Sequence, residues 1–212
     1  GGARLFGGKG SFVVDTQGDR PEELKVRIEG GTGTLRRYPL EAAPQPLDWQ
    51  TRKELWTGRQ GLYAAVAGNR PSGTTAIMED IAVPSRALHE TTKELAALLR
   101  EHKYFDSVIF GHAKDGNLHF LLNERFDKPE MLERYRNFTE DMVTLVLAQR
   151  GSLKAEHGTG RIMAPYVRRQ FGDELYEVMV AVKRLCDPRN VLNPGVLINA
   201  DPEVYVQDLK TS

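Results

Sequence analysis

Two apolar runs, SVIFGHA (107–113) and NLHFLL (117–122), are joined by Lys114, Asp115 and Gly116. Asp-Gly between such runs is a strong hairpin signal, because a tight primed turn needs φ > 0 at both central residues. With Asp115 and Gly116 at those centres, counting outward pairs Lys114 with Asn117, Ala113 with Leu118 and His112 with His119. The two histidines then become direct cross-strand neighbours on one face, with Cβ atoms roughly 4.5–5.5 Å apart. Two imidazoles at that spacing can reach one metal ion or can stand as inert hairpin residues.

Around this hairpin the periodicities alternate. TTAIMEDIAVP (74–84) reads as a strand that stops at Pro84. Residues 85–102 read as a helix with Leu88, Leu95, Leu98 and Leu99 inward, and 129–149 as a helix with Met131, Tyr135, Phe138, Met142 and Leu145 inward. A further helix is expected at 173–186, with Leu175, Val178, Met179, Val182 and Leu185 inward. Toward the N-terminus, SFVVD (11–15) and TLRRYPL (34–40) read as strands, and PEELKVRI (21–28) as a short helix stopped by GGTG. Asp48 suits the N-cap of a helix at 49–66, in which Leu55, Arg59, Leu62 and Val66 share one stripe. Strands interleaved with helices and a hairpin indicate an α+β fold, a mainly antiparallel sheet flanked by helices on one face.

Composition narrows the functional classes. Hydrophobic residues make up 40% of the 212, enough for a packed core. Lys+Arg and Asp+Glu both number 29, so the basic excess of a nucleic-acid binder is missing. The single cysteine, Cys186, excludes an internal disulfide. MVTLVLA (142–148) is too short to cross a bilayer, and GGARLFGGKG (1–10) has no secretory h-region. The expected location is the cytoplasm, or peripherally at the inner face of the membrane. The chain also opens within what reads as a glycine-rich loop, as an excised fragment would.

A third ligand is offered by KAEHGTGR (154–161), where Glu156 could complete a His-His-Glu set with His112 and His119. The adjacent His157 could act as a general base near neutral pH. The other histidines, His89 and His102, fall on the 85–102 helix and are expected to face solvent. Arg59, an arginine on an apolar stripe, either snorkels to water, pairs with a buried acid or clamps a substrate carboxylate. The GTG motifs at 31–33 and 158–160 lack the Lys-Ser/Thr ending of a phosphate loop.

The ordered motifs ELWTGRQG, EDIAVP, GHAKDGNLHF, AEHGTGR and KRLCDPRNVLNPG resemble the C-terminal part of FAD-linked oxidases of the vanillyl-alcohol-oxidase type. The branch is the one containing glycolate oxidase, D-lactate dehydrogenase and D-2-hydroxyglutarate dehydrogenase. The resemblance covers roughly residues 48–200, and SLKAEHGTGRIMAPYV and LNPGVLINADPEVYVQDLK resemble most a subgroup of large proteins in which iron–sulfur motifs follow the flavin domain. It implies oxidation of a D-2-hydroxy acid to the 2-oxo acid by hydride transfer to FAD. By the same resemblance His112, His119 and Glu156 would ligate a divalent metal, zinc, that holds the substrate's hydroxyl and carboxylate oxygens. His157 would accept the hydroxyl proton, Arg59 would bind a carboxylate, and Asn193 would lie near the flavin.

Three positions depart from that pattern. Lys114 stands where several relatives carry glycine. Leu121 stands where relatives acting on D-2-hydroxyglutarate have asparagine, and Met78 lies near their substrate-binding lysine. Arg161 or Lys154 is then the candidate for a substitute positive charge. Because the family's flavin-binding domain lies upstream, residues 1–150 are expected to form a substrate-binding cap. Residues 151–212 would return toward that domain, leaving the chain inactive and largely flavin-free alone. The expected partners are a small 2-hydroxy acid, the chain's own flavin-binding domain and an electron acceptor. The alternatives are a flavin-independent metallohydrolase, in which the same ligands activate water, and a non-catalytic domain stabilised by its histidines.

Overall fold

The computed structural model describes residues 12–39 and 47–210. The chain divides into two compact units between Ala65 and Val66. This division follows packing within the chain, whereas the sequence-based one at 150/151 concerned what each part would face.

In the first unit, α1 runs Pro21–Leu35. Pro21 begins it and Glu22 and Glu23 occupy its first turn, both favourable at a helix N-terminus. The helix passes through Gly30, Gly31 and Gly33 instead of stopping there, since glycine costs a helix about 1 kcal/mol relative to alanine but does not forbid it. TLRRYPL is accordingly no strand: Thr34 and Leu35 close α1 and residues 36–38 form a turn, with Leu40 outside the described residues. Phe12–Asp15 is irregular and exposed, and Ser11 lies outside the described residues, as do the glycine-rich residues 1–10. Asp48 caps α2 (Trp49–Gln60) by accepting from the Thr51 N–H at 2.8 Å. The stripe expected over 49–66 is broken at Gly61, where α3 (Leu62–Gly68) takes over, and no residue of α2 or α3 is buried.

The second unit is built on a three-stranded antiparallel sheet. β1 (Thr75–Ala82), β2 (Ile109–His112) and β3 (Asn117–Glu124) lie in the order β1-β3-β2. Opposed residues share a face, so the register places Ile77, Ile81, Ile109, Leu118, Phe120 and Leu122 together. That face packs on α4 (Leu88–Glu101) and α5 (Pro129–Ala148), through Leu95 and Leu99 of the first and Tyr135, Phe138, Met142 and Val146 of the second. The opposite face presents Met78, Asp80, Phe110, His112, Asn117, His119 and Leu121. One sheet face therefore makes the apolar core, and the other, itself largely covered, gathers the polar and titratable groups.

The hairpin differs from the two-residue turn expected. Ala113–Asp115 form a single 3-10 turn, and only Gly116 has φ > 0, at 66°. His119 thus pairs with Phe110, and His112 with Asn117. The register moves by two residues, which preserves the face because side chains alternate with period two. Gly116 is required: its N–H bonds Ala113, its carbonyl accepts the Val83 N–H at 2.9 Å, and a Cβ there would stand 1.9 Å from the Val83 oxygen.

After α5, the chain reaches the outer edge of β1. Ser152 and Ala82 exchange backbone hydrogen bonds of 3.0 and 2.7 Å, and a Cβ on Gly151 would meet the Ala82 oxygen at 2.5 Å. Two more helices follow, α6 (Gly160–Met163) and α7 (Val167–Cys186), the latter bent at Gly172. Of the five residues expected to face inward on α7, Met179 is half-buried, whereas Leu175, Val178, Val182 and Leu185 are exposed; Val167 and Tyr176 are its buried residues. Periodicity marks the apolar side of a helix but not what that side meets.

Candidate active site on the second face of the sheet

His119 projects from the centre of β3 and is buried, while His112 ends β2 one step further along the same face. They are diagonal neighbours, with ring centroids 5.6 Å apart and nearly perpendicular. Glu156 reaches both: its Oε1 is 2.9 Å from His119 Nε2 and 3.5 Å from His112 Nε2. The side chain of His157 stacks on His119, centroids 4.9 Å apart, with its Nδ1 3.8 Å from Asp80 Oδ2 and its Nε2 3.7 Å from Glu156 Oε1.

Glu156 and His157 arrive there because two consecutive carboxylates of β1 hold their segment from opposite faces of the strand. On the core face, buried Glu79 accepts from Lys154 Nζ at 2.7 Å. Burial pushes the Glu79 carboxyl pKa up, and the lysine offsets only part of this. On the site face, Asp80 Oδ2 accepts the backbone N–H groups of Ala155, Glu156 and His157 at 3.0, 2.7 and 2.9 Å. Its other oxygen accepts from the Asn117 amide at 2.7 Å. Burial alone would raise the Asp80 pKa, but these hydrogen bonds outweigh it and hold the carboxyl below its usual value. Burial also lowers the His119 pKa, against the opposing pull of Asp80 and Glu156.

Tetrahedral zinc with ligand bonds of 2.0–2.2 Å keeps its donor atoms about 3.3 Å apart. The donors of His112, His119 and Glu156 all lie within 4.8 Å of one another. Two imidazoles and a carboxylate are also a donor set that leaves a fourth position open. The residues therefore fit a catalytic divalent metal. Asp80, His119 and His157 are similarly close, but the Asp80 oxygens are committed to backbone and amide donors, which suits an orienting acceptor better than a ligand. Beside the cluster opens a cavity of about 340 Å³ lined by His112, Asp115, Asn117, Lys154 and Glu156, among others.

The other residues singled out in the sequence lie elsewhere. Arg59 is in the last turn of α2, in the first unit. Arg161 is exposed on α6, its Nη1 3.5 Å from Asp208. Asn193 is exposed in the loop after α7, in a left-handed conformation with φ 44°. His89 is exposed as expected, but His102 is half-buried, with Nε2 2.8 Å from Asp141 and its ring edge-on to Phe138. The sequence reading missed Asp80 and Asn117. The one available signal was a second acid, directly after Glu79, in an otherwise apolar strand.

The chain is similar to several known proteins. The chain is 33% identical over 151 residues to the probable mitochondrial D-lactate dehydrogenase of Danio rerio, a match covering 71% of this chain and 30% of that protein. It is 32% identical over 156 residues to the glycolate oxidase subunit GlcD of Bacillus subtilis (72% and 32%). It is 31% identical over 154 residues to the D-2-hydroxyglutarate dehydrogenase of Stutzerimonas stutzeri (71% and 32%). The chain spans about a third of the length of these relatives. Residues 7–197, nearly the whole chain, match the family described as FAD linked oxidases, C-terminal domain, and the chain belongs to that family.

Proposed function

We propose that the chain supplies the substrate side of an FAD-dependent enzyme that oxidises a D-2-hydroxy acid to the 2-oxo acid. The convergence of His112, His119 and Glu156, with His157 stacked against His119, carries this reading. His112, His119 and Glu156 would hold a divalent metal, zinc by donor type, which when bound supplies Lewis acidity to the substrate hydroxyl. FAD, when bound, supplies the hydride acceptor. His157 receives the hydroxyl proton: its approaches to Asp80 and Glu156 exceed hydrogen-bond range, which leaves an imidazole nitrogen to accept it. Arg59 would hold a carboxylate, and Asn193 would lie near the flavin.

In this reading residues 1–150 are the substrate cap and 151–212 the segment that meets the flavin-binding domain. The exposed apolar stripe of α7 suits such a contact. The likeness of its last two motifs to large fusion proteins extends the proposal to iron–sulfur clusters that carry the electrons onward. No helix among the described residues is long and apolar enough to cross a membrane, in keeping with a cytoplasmic or peripheral enzyme.

The neighbouring row of the sheet face supports a narrower reading of the substrate class. Met78 and Leu121 oppose each other there, and both candidates for a substitute cation are engaged, Lys154 with Glu79 and Arg161 with Asp208. This favours a monocarboxylate of the D-lactate or glycolate class over a dicarboxylate. The test is turnover of D-lactate, glycolate and D-2-hydroxyglutarate by the intact protein with an artificial electron acceptor. Metal-dependent oxidation of the monocarboxylates is expected, and hydrolase activity without flavin would contradict the proposal.

A further inference from the structure

Gln170, in the first turn of α7, is half-buried and directs its side-chain amide at the segment that leads to Glu156. Its Oε1 accepts the Leu153 N–H at 3.0 Å, and its Nε2 donates to Ser152 Oγ at 3.3 Å. Ser152 Oγ donates in turn to the Lys154 carbonyl at 2.7 Å. The peptide unit between Lys154 and Ala155 is also held from its other side, where the Ala155 N–H donates to Asp80 Oδ2 at 3.0 Å. We propose that Gln170 and Ser152 are positioning residues for Glu156 and His157, fixing from α7 the same peptide plane that β1 holds through Asp80.

A peptide unit is planar, and its C=O and N–H point in opposite directions. Held only by its N–H, the plane can still swing about that bond. Held at both ends it has one orientation, and residues 156 and 157 take their direction from it. The support beneath Gln170 is firm. Val167 is buried, and Arg169 in the same turn bonds Glu140 and Thr144 of α5. The bend of α7 at Gly172 comes after Gln170, so the tie belongs to the packed start of the helix. Close packing does not replace it: a cavity of about 60 Å³, lined by Leu153, Thr159, Met163, Val167 and Phe171 among others, opens beside Gln170. Leu153 is buried, so its N–H has no ready alternative to the Gln170 acceptor.

The functional consequence rests on the oxidation proposed above, and the experiment separates the two. In the intact protein, Gln170→Met keeps the bulk of the side chain and loses both bonds. Ser152→Ala loses the hydroxyl, and Ser152→Thr retains it. Hydrogen–deuterium exchange read by mass spectrometry should quicken roughly tenfold across residues 152–158 in Gln170→Met and Ser152→Ala, with α4 and α5 unchanged. Ser152→Thr should stay near wild type. At saturating D-lactate or glycolate, flavin reduction should slow roughly 10–100-fold in the first two variants, with flavin content unchanged, and recover in Ser152→Thr. Exchange that is unchanged, or that quickens equally in α4 and α5, overturns the proposal. Reduction at the wild-type rate despite quickened local exchange overturns it too, because the two residues would then support the fold alone. If no 2-hydroxy acid reduces the wild-type flavin, the oxidation reading fails, and exchange still decides whether Gln170 and Ser152 hold residues 155–157.

Discussion

Met78 stands directly opposite Leu121 across β1 and β3, on the face that carries Asp80 and His119. On the resemblance drawn from the sequence, both positions depart from the D-2-hydroxyglutarate-type pattern, and the register makes them direct cross-strand partners. A charge placed there should alter selectivity. In the intact protein, Met78→Lys should raise kcat/KM for D-2-hydroxyglutarate relative to D-lactate by roughly tenfold, equivalent to about 1.4 kcal/mol. An unchanged ratio would mean that this row does not meet the substrate.

Gly116→Ala should be costly for two physical reasons. The residue sits at φ 66°, and the added Cβ would lie 1.9 Å from the Val83 oxygen. A left-handed non-glycine residue together with a forced backbone shift should cost about 3 kcal/mol. Urea unfolding monitored by circular dichroism measures this, and a loss below the error of the method would contradict the hairpin geometry.

Lys154→Met leaves Glu79 buried without its cation. Removing one partner of a buried pair should destabilise by about 3–5 kcal/mol, and replacing both partners by apolar residues should recover most of it. Thermal and urea unfolding of Lys154→Met, and of Lys154→Met with Glu79→Leu, provides the comparison. The lysine should matter for zinc affinity as well, because it anchors the segment bearing Glu156.

The loop that leads to Asn193 has its own anchor. Asp187 accepts from the Lys183 ammonium and from the Leu192 and Val191 N–H groups, which hold its pKa down at about 2. A depressed carboxylate stabilises the folded state above its unfolded pKa, about 3.9, and that contribution disappears as pH falls through the folded value. Asp187→Asn should therefore lower Tm at pH 7, and the difference from wild type should close between about pH 4 and pH 2. A gap that stays constant across that window would show that the charge of Asp187 is not involved.

Legibility in the sequence varied with the kind of information needed. Strong periodicity located β1, β3, α4 and α5, and Leu95, Leu99, Tyr135, Phe138 and Met142 are core residues as their spacing implied. The Asp-Gly signal correctly marked the hairpin, but loop length depends on the Gly116–Val83 contact, which counting cannot see. The site survived that error because a shift of two keeps His112 and His119 on one face. Over residues 12–38 the proline start of α1 was legible, but its end and the strands expected at 11–15 and 34–40 were not, because the helix runs on through Gly30, Gly31 and Gly33. Asp80 was hidden because its role lies in hydrogen bonds to residues distant in the chain.

The most direct test is anaerobic reduction of the flavin in the intact protein. Mixing with D-lactate or glycolate should bleach the oxidised-flavin absorbance in the wild-type, metal-loaded protein. The bleaching should be slowed roughly 10²–10⁴-fold by His157→Gln, the usual contribution of a general base. A flavin that no D-2-hydroxy acid reduces, or one reduced at the wild-type rate in His157→Gln, would contradict the account.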